Sequence, residues 1–274
     1  MENYKIPVGP LAKQAVNWLT DNFGWLFDGL AVGMKALINS LLFILGAPHP
    51  IFVITAFILI GWYLQRSIPI VILTILGFAF ILNQGYWDET VETLTLVLSA
   101  CVICMAIGVP IGIACAHRPK LYAFLQPILD LMQTLPTFVY LIPAIIFFGI
   151  GMVPGLIATA IFVVPAPIRL TYLGIAATPQ PLVEAAQAFG ATKRQVLWKV
   201  ELPSALPQIM AGLTQTIMLS LSMVVIAALV GADGLGVPIV RALNTVNTSL
   251  GFEAGMVIVV VAIMLDRIFR FQKN

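Results

Sequence analysis

The chain has 274 residues, 60% of them hydrophobic and 9% charged, with a net charge of +2 and a mean hydropathy of +1.02. A soluble domain carries roughly 25% charged residues, so the composition excludes a fold that coats itself in water, and no nucleic-acid partner is expected. Uncharged runs at 67–87, 93–116, 131–168 and 205–232 each reach the ~20 residues that cross ~30 Å of hydrocarbon as helix. The expected fold is all-α: a multi-pass membrane protein with about seven transmembrane helices, preceded by an amphipathic interfacial helix.

The opening "MENYKIPVGP" has Glu2 and two prolines where a cleavable signal would carry basic and then apolar residues, so no signal peptide is expected. Within 1–47, apolar residues recur near every 3.6 positions, at Leu11, Ala15, Leu19, Phe23, Leu26, Leu30, Met34, Leu37, Leu41 and Ile44. Asp21, Asp28, Lys35 and Asn39 fall elsewhere, and Trp18 and Trp25 add amphipathic rings. That pattern predicts a helix lying in the membrane interface. The rival, a spanning helix, would hold Asp28 and Lys35 at costly depth.

"GAPHP" (46–50) ends this segment with two prolines. A transmembrane domain is expected over 48–270, with spans near 48–65, 67–85, 90–116, 124–149, 154–175, 205–231 and 252–269, then a cytoplasmic tail at 271–274. Several spans hold breakers: Pro110 in "GVPIG", Pro136 and Pro143 in "LPTFVYLIP", and Pro165 with Pro167. Proline frees carbonyls that only protein neighbours or a wet cavity can satisfy, so these residues mark either a pathway lined by broken helices or kinks made for packing. Cys101, Cys104 and Cys115 share one apolar segment with only His117 near as a further ligand. They read as small helix residues, with neither a metal site nor a disulfide framework.

Charge placement orients the chain. Ten of the 14 Lys and Arg residues fall on one side: Arg66, Arg118, Lys120, Arg169, Lys193, Arg194, Lys199, Arg267, Arg270 and Lys273. The other side takes Lys5, Lys13, Lys35 and Arg241, together with Asp88, Glu89, Glu92, Asp233 and Glu253. The N-terminus is therefore expected outside, with the C-terminus and the 176–204 insert in the cytoplasm.

That insert contains "EAAQAFGATKRQVLWKVELP" (184–203), a polar passage between two apolar spans. Thr178-Pro179 offers an N-cap with proline at N1, and Gly190 offers a left-handed stop after Phe189. Thr192 and Gln195 form a capping box for a second helix, and Pro203 and Pro207 punctuate the return to the membrane. The small Ala185, Ala186 and Ala188 let another backbone approach, while Val196, Leu197 and Val200 form an apolar stripe. The product is a helix–glycine–helix knuckle, fit to dock a soluble partner or to rest on anionic lipid.

The stretch resembles the cytoplasmic EAA loop of membrane subunits of bacterial ABC importers, through Glu184, Ala185, Ala186, Gly190, Val200 (where isoleucine is usual), Leu202 and Pro203. "LDLMQTLPTFVYLIPAI", "TIMLSLSMVVIAALVGADGLG" and "LGFEAG" are further similar to permeases for glycine betaine, proline betaine, choline and related quaternary amines. The likeness covers about 48–270, and Asp233 departs from an expected glycine, adding negative charge at the outer mouth. The resemblance implies a type I importer permease of the bacterial inner membrane, working as a homodimer amid membrane lipid. Its partners would be two ATP-binding subunits at the cytoplasmic face and an extracytoplasmic substrate-binding protein. It also implies an ATPase-coupling role for Glu184, Ala185, Ala186, Ala188, Gly190, Val200, Leu202 and Pro203.

Such a permease is not an enzyme and binds no cofactor; ATP and Mg belong to the partner ATPase. The chain has no G-x-x-x-x-G-K-[ST] phosphate loop, in keeping with that division. A quaternary ammonium prefers aromatic faces, which singles out Phe138, Tyr140, Phe147, Phe148 and Trp87, although most aromatics in such a chain face lipid or other helices. Candidate path residues are Pro136, Phe138, Tyr140, Pro143, Ser220, Ser222 and Asp233. The alternative, an ion-coupled carrier of small amines, would need ionisable groups at mid-membrane; Asp130 and Asp266 instead sit near inner span ends. His49 and His117 stand alone, without the nucleophile–base pair of an embedded enzyme.

Overall fold

The computed structural model describes residues 7–270, and among these there are helices and turns but no strand. In chain order the helices are α1 (Val8–Gly46), α2 (Pro50–Gln65), α3 (Ile68–Gln84), α4 (Trp87–Ala116), α5 (Pro119–Thr134), α6 (Thr137–Phe148), α7 (Met152–Val163) and α8 (Pro165–Ala176). They continue with α9 (Gln180–Ala188), α10 (Lys193–Val196), a π-helical turn (Leu197–Glu201), α11 (Leu202–Ala228), α12 (Gly236–Thr245) and α13 (Thr248–Phe269). Five stretches are long and apolar enough to cross a membrane, or six when the bent pair α5–α6 counts as one. The expected spans at 48–65 and 67–85 are helices of 16 and 17 residues, about 24–26 Å of axis, short of the ~30 Å hydrocarbon core.

α4 is the axis of the bundle. Its Leu94, Leu96, Val97, Ala100 and Cys104 are sealed, and it packs against α8, α11, α1 and α7. Apolar side chains do not drive helices together in lipid, so close backbone approach at small residues must. Gly108 and Gly112 supply it: a Cβ on Gly112 would stand 2.6 Å from the Thr171 Cβ and 2.7 Å from the Ile168 carbonyl oxygen, both on α8. Buried hydroxyls are turned back onto their own helices, as in Thr95 to the Val91 carbonyl, Thr159 to Gly155 and Thr216 to Gly212. These three hydroxyls are thus satisfied without water, whereas those of Ser99, Thr171, Thr178 and Ser220 are buried with no partner.

The two ends of the bundle differ in charge. At one end the Gln65 amide donates to the Ile268 and Arg270 carbonyls at 2.9 and 2.6 Å, and His117 meets Glu201. Arg66, Arg118, Lys120, Lys193, Arg194, Lys199, Arg267 and Arg270 belong to this basic end. At the other end the Leu235 N–H donates to Thr93 Oγ1 and the Gly151 N–H to the Val230 carbonyl, both at 2.9 Å. Here Asp88, Glu89, Glu92, Asp233 and Glu253 collect.

α1 is helical as expected, with a non-helical break at Phe23 (φ −121°, ψ 17°). Phe27 stacks on Phe147 with ring centroids 4.3 Å apart, and Gly46 lies against Val91. Both contacts are at the acidic end, although about 28 Å of helix separates them. From Phe27 onward α1 therefore runs across that end, burying Ile38 and Leu45 while Trp18 and Trp25 stay exposed.

One expectation needs correction. The span at 124–149 is not continuous: α5 and α6 meet at 93°, because Pro136 pushes Leu135 into extended backbone (ψ 133°). Between the last two spans the chain folds into α12 beside α13.

Substituting Gly112→Val should lower the melting temperature of the detergent-purified protein by the equivalent of about 1–3 kcal/mol. Gly33→Ala, where no atom lies within 4 Å of the added Cβ, should leave it unchanged or slightly raised.

Candidate functional site: the knuckle at the basic end

Between α8 and α11 the chain leaves the bundle as the pair α9–α10. α9 begins one residue later than predicted: Pro179 is its N-cap and Pro181 lies in its first turn, which suits a residue with no N–H to offer. Thr178 is not the cap, and its buried hydroxyl has no partner. The helix ends in a Schellman motif on Gly190 (φ +78°), with the Ala191 N–H donating to Ala186 and the Gly190 N–H to Gln187. A side chain at 190 would be strained in that backbone.

The second helix starts as predicted. Thr192 Oγ1 accepts the Gln195 N–H, and Gln195 Oε1 accepts the Thr192 N–H at 2.8 Å. After Val196, however, no break returns the chain to the membrane. The π-turn leads into α11, so Lys193–Ala228 is one helical rod of 36 residues. Pro203 has no N–H to bond the Lys199 carbonyl and its ring would crowd a regular turn there. The wider turn, in which the Leu202 N–H reaches back to the Leu197 carbonyl, makes room for it.

Of the predicted coupling residues, Ala186, Gly190 and Val200 line one shallow pocket. Ala185, Ala188 and Gly190 are exposed and Ala186 is half-buried on α9 and its cap; Val200 and Leu202 are half-buried and Pro203 exposed at the base of α11. Glu184 accepts a hydrogen bond from Gln180 at 2.9 Å, a local brace along one helix face. Val196 is buried and anchors α10. The sequence reading missed the most conspicuous side chain: Phe189 is 93% exposed at the tip, with Leu182 and Trp198 exposed nearby. The signal was present, since an aromatic just before a left-handed glycine cannot follow the helix face inward.

The candidate path residues separate into two groups. Tyr140 and Ser220 are buried within the subunit. The Tyr140 hydroxyl lies 3.1 Å from the Met132 carbonyl and 3.3 Å from that of Leu135, so it caps α5 across the elbow. Ser220 Oγ is buried without a partner. Pro143 is half-buried, whereas Pro136, Phe138, Ser222 and Asp233 are exposed. Of the other aromatics, Phe147 and Phe148 pack on Phe27 and Trp87 on Phe78. Among the described residues no group of three or more His, Cys, Asp or Glu is arranged to hold a metal.

Replacing Thr192 with alanine removes the capping box, at about 1 kcal/mol. Amide exchange over 190–196 should rise about fivefold by mass spectrometry, with the spans unchanged.

Comparison with known proteins supplies the family. Residues 108–272 match the binding-protein-dependent transport system inner membrane component. The glycine betaine transport system permease protein OpuAB of Bacillus subtilis is 47% identical over 264 residues, 96% of this chain and 93% of that protein. The glycine betaine/proline betaine permease ProW of Escherichia coli is 41% identical over 96% of this chain and 74% of its own. Among solved structures, an inward-facing form of the MetNI methionine ABC transporter matches with TM-score 0.58 and 25% identity, over 65% of this chain and 92% of that one. The chain belongs to the family of binding-protein-dependent transport system inner membrane components, the non-enzymatic permease subunits of ABC importers.

Proposed function

We propose that this chain, as a homodimer, forms the translocation path of an ATP-driven importer for quaternary amine solutes such as glycine betaine, proline betaine or choline. The observation that carries the reading is the knuckle. It is a capped, rigid projection at the basic end whose tip leaves a large aromatic, Phe189, open to a partner. The names of OpuAB and ProW, together with their similarity along nearly the whole chain, support the substrate class. In this reading two ATP-binding subunits, carrying ATP and Mg, seat against Ala185, Ala186, Ala188 and Phe189, and their closure moves α11 through the continuous rod. Leu202 and Pro203 lie at the base of that rod, and Glu184 stiffens α9.

The basic end is assigned to the cytoplasm by the bias of Lys and Arg, placing the N-terminus outside and the C-terminus inside. α1 then lies along the outer interface, its Trp18 and Trp25 rings at headgroup depth. The substrate-binding protein docks at the acidic end, where Asp233 and its neighbours favour the approach of a cationic group. The exposed Pro136, Phe138, Ser222 and Asp233 face the path between the two copies, while Tyr140, Pro143 and Ser220 support it from within. An ion-coupled mechanism finds no carrier site in the acids singled out for it: Asp130 pairs with Arg169 at 2.5 Å, and Asp266 sits 4.0 Å from Arg267.

In proteoliposomes, glycine betaine uptake should require the binding protein, the ATPase and ATP, and should persist when ionophores collapse ion gradients. Uptake driven by a sodium or proton gradient without the ATPase overturns the reading. Phe189→Ala should weaken ATPase association by about 30-fold, the scale of an interface hot spot of about 2 kcal/mol. A cysteine placed by Ala188→Cys should cross-link to the ATPase.

A further inference from the structure

We propose that His117 is a positioning residue for transport, tying α4 to the knuckle through Glu201 so that the knuckle pulls on two spans instead of α11 alone. The inference rests on the coupling reading above. Glu201 closes the π-turn, and its carboxylate lies 2.9 Å from His117 Nε2. Among the described residues this is the only ion pair joining the knuckle to a helix with which it is not continuous.

The ring is held on both sides. His117 Nδ1 is 3.0 Å from the Ile113 carbonyl, which can only accept, so this nitrogen donates. The second nitrogen faces the Glu201 carboxylate, so one ring bridges its own helix and the knuckle. The cleft around the pair is lined by Arg118 next in the chain, by Lys193 and Arg194 on α10, and by Gln187 on α9. Glu201 is the one carboxylate among those lining residues, which makes it the single anchor for the ring.

The placement gives the link a mechanical meaning. Pro110 lies about two turns before His117 in α4 and leaves the Ala106 carbonyl without its helical donor. The helix has a compliant point there, so a pull at His117 acts on the segment beyond it. α4 carries no other polar tie to the knuckle among the described hydrogen bonds. A bare structural brace and a force-bearing tie predict different behaviour when the pair is cut.

The test uses the complete reconstituted importer, reading ATPase association, ATP hydrolysis and glycine betaine taken up per ATP. His117→Ala and Glu201→Gln should each leave association and hydrolysis within about twofold while uptake per ATP falls about fivefold, the effect of losing a partly exposed pair of about 1 kcal/mol. His117→Arg should retain uptake per ATP, and the swapped pair His117→Glu with Glu201→Arg should recover it. Unchanged uptake per ATP in both single variants, a parallel loss of hydrolysis and uptake, or no recovery in the swap overturns the proposal. If the Ala188→Cys cross-link fails in otherwise unchanged protein, the coupling reading itself falls, and this inference with it.

Discussion

Everything in this fold depends on how closely α4, α8 and α11 approach one another. Lipid tails are as apolar as leucine, so burial supplies little attraction between spans and contact area at short range must supply it. The chain meets this with hydrogen atoms in place of side chains. Gly108 and Gly112 of α4 face Pro167, Ile168 and Thr171 of α8; Gly174 of α8 faces Ala205 and Gln208 of α11; and Gly212 of α11 faces Pro167. These contacts lie toward the basic end and brace the roots from which the knuckle leaves and to which it returns. A knob on flexible roots would bend when pushed; on roots locked to α4 it displaces them.

Proline works against regularity in the same region, and the outcome depends on what surrounds it. Pro203 and Pro207 sit inside a rod that stays helical, and one widened turn absorbs the missing donor and the ring of Pro203. Pro136 stops a helix outright, since the residue before it is forced out of the α region. The resulting elbow is then fastened by Tyr140 to the last carbonyls of α5 and by Arg169 to Asp130 and Gln133. Tyr122 and Tyr172 stack at 3.7 Å beside that fastening. α5 is thus tied to α8 by side chains, though it turns away from α6.

Much of this was legible because the physics that sets it is local. Capping by Thr192 and Gln195, the left-handed stop at Gly190 and the 3.6 spacing of α1 each depend on residues within a few positions of one another. So does the asymmetry of charge between the ends, which is a sum over loops. The continuity of α10 with α11 was not legible, because whether proline breaks a helix or is absorbed by a π-turn depends on the packing on either side of it, where Val196 and Ala205 are buried. The elbow was legible only as a weakness at Pro136. It is fixed by Tyr140, which bonds across the bend, and by Arg169 of α8, which holds Asp130 and Gln133 of α5. α12 was missed because ten short, mixed residues carry too little periodicity to stand out beside two long apolar spans.

The fate of the aromatic residues narrows where a cation could be met. Five were singled out from chemistry alone, and the structure uses four of them for packing or capping: Phe147 and Phe148 against α1, Trp87 against α3, and Tyr140 across the elbow. Only Phe138 keeps its ring open, on the same exposed side of α6 as Val139 and Ile142. A single ring attracts a quaternary ammonium by about 0.5–2 kcal/mol, depending on how far it is desolvated. That suits passage better than capture, because a deep cage on the path would slow release as much as it aided entry. On the proposed reading, each copy brings one such ring to the shared path, and tight recognition is left to the protein that delivers the solute.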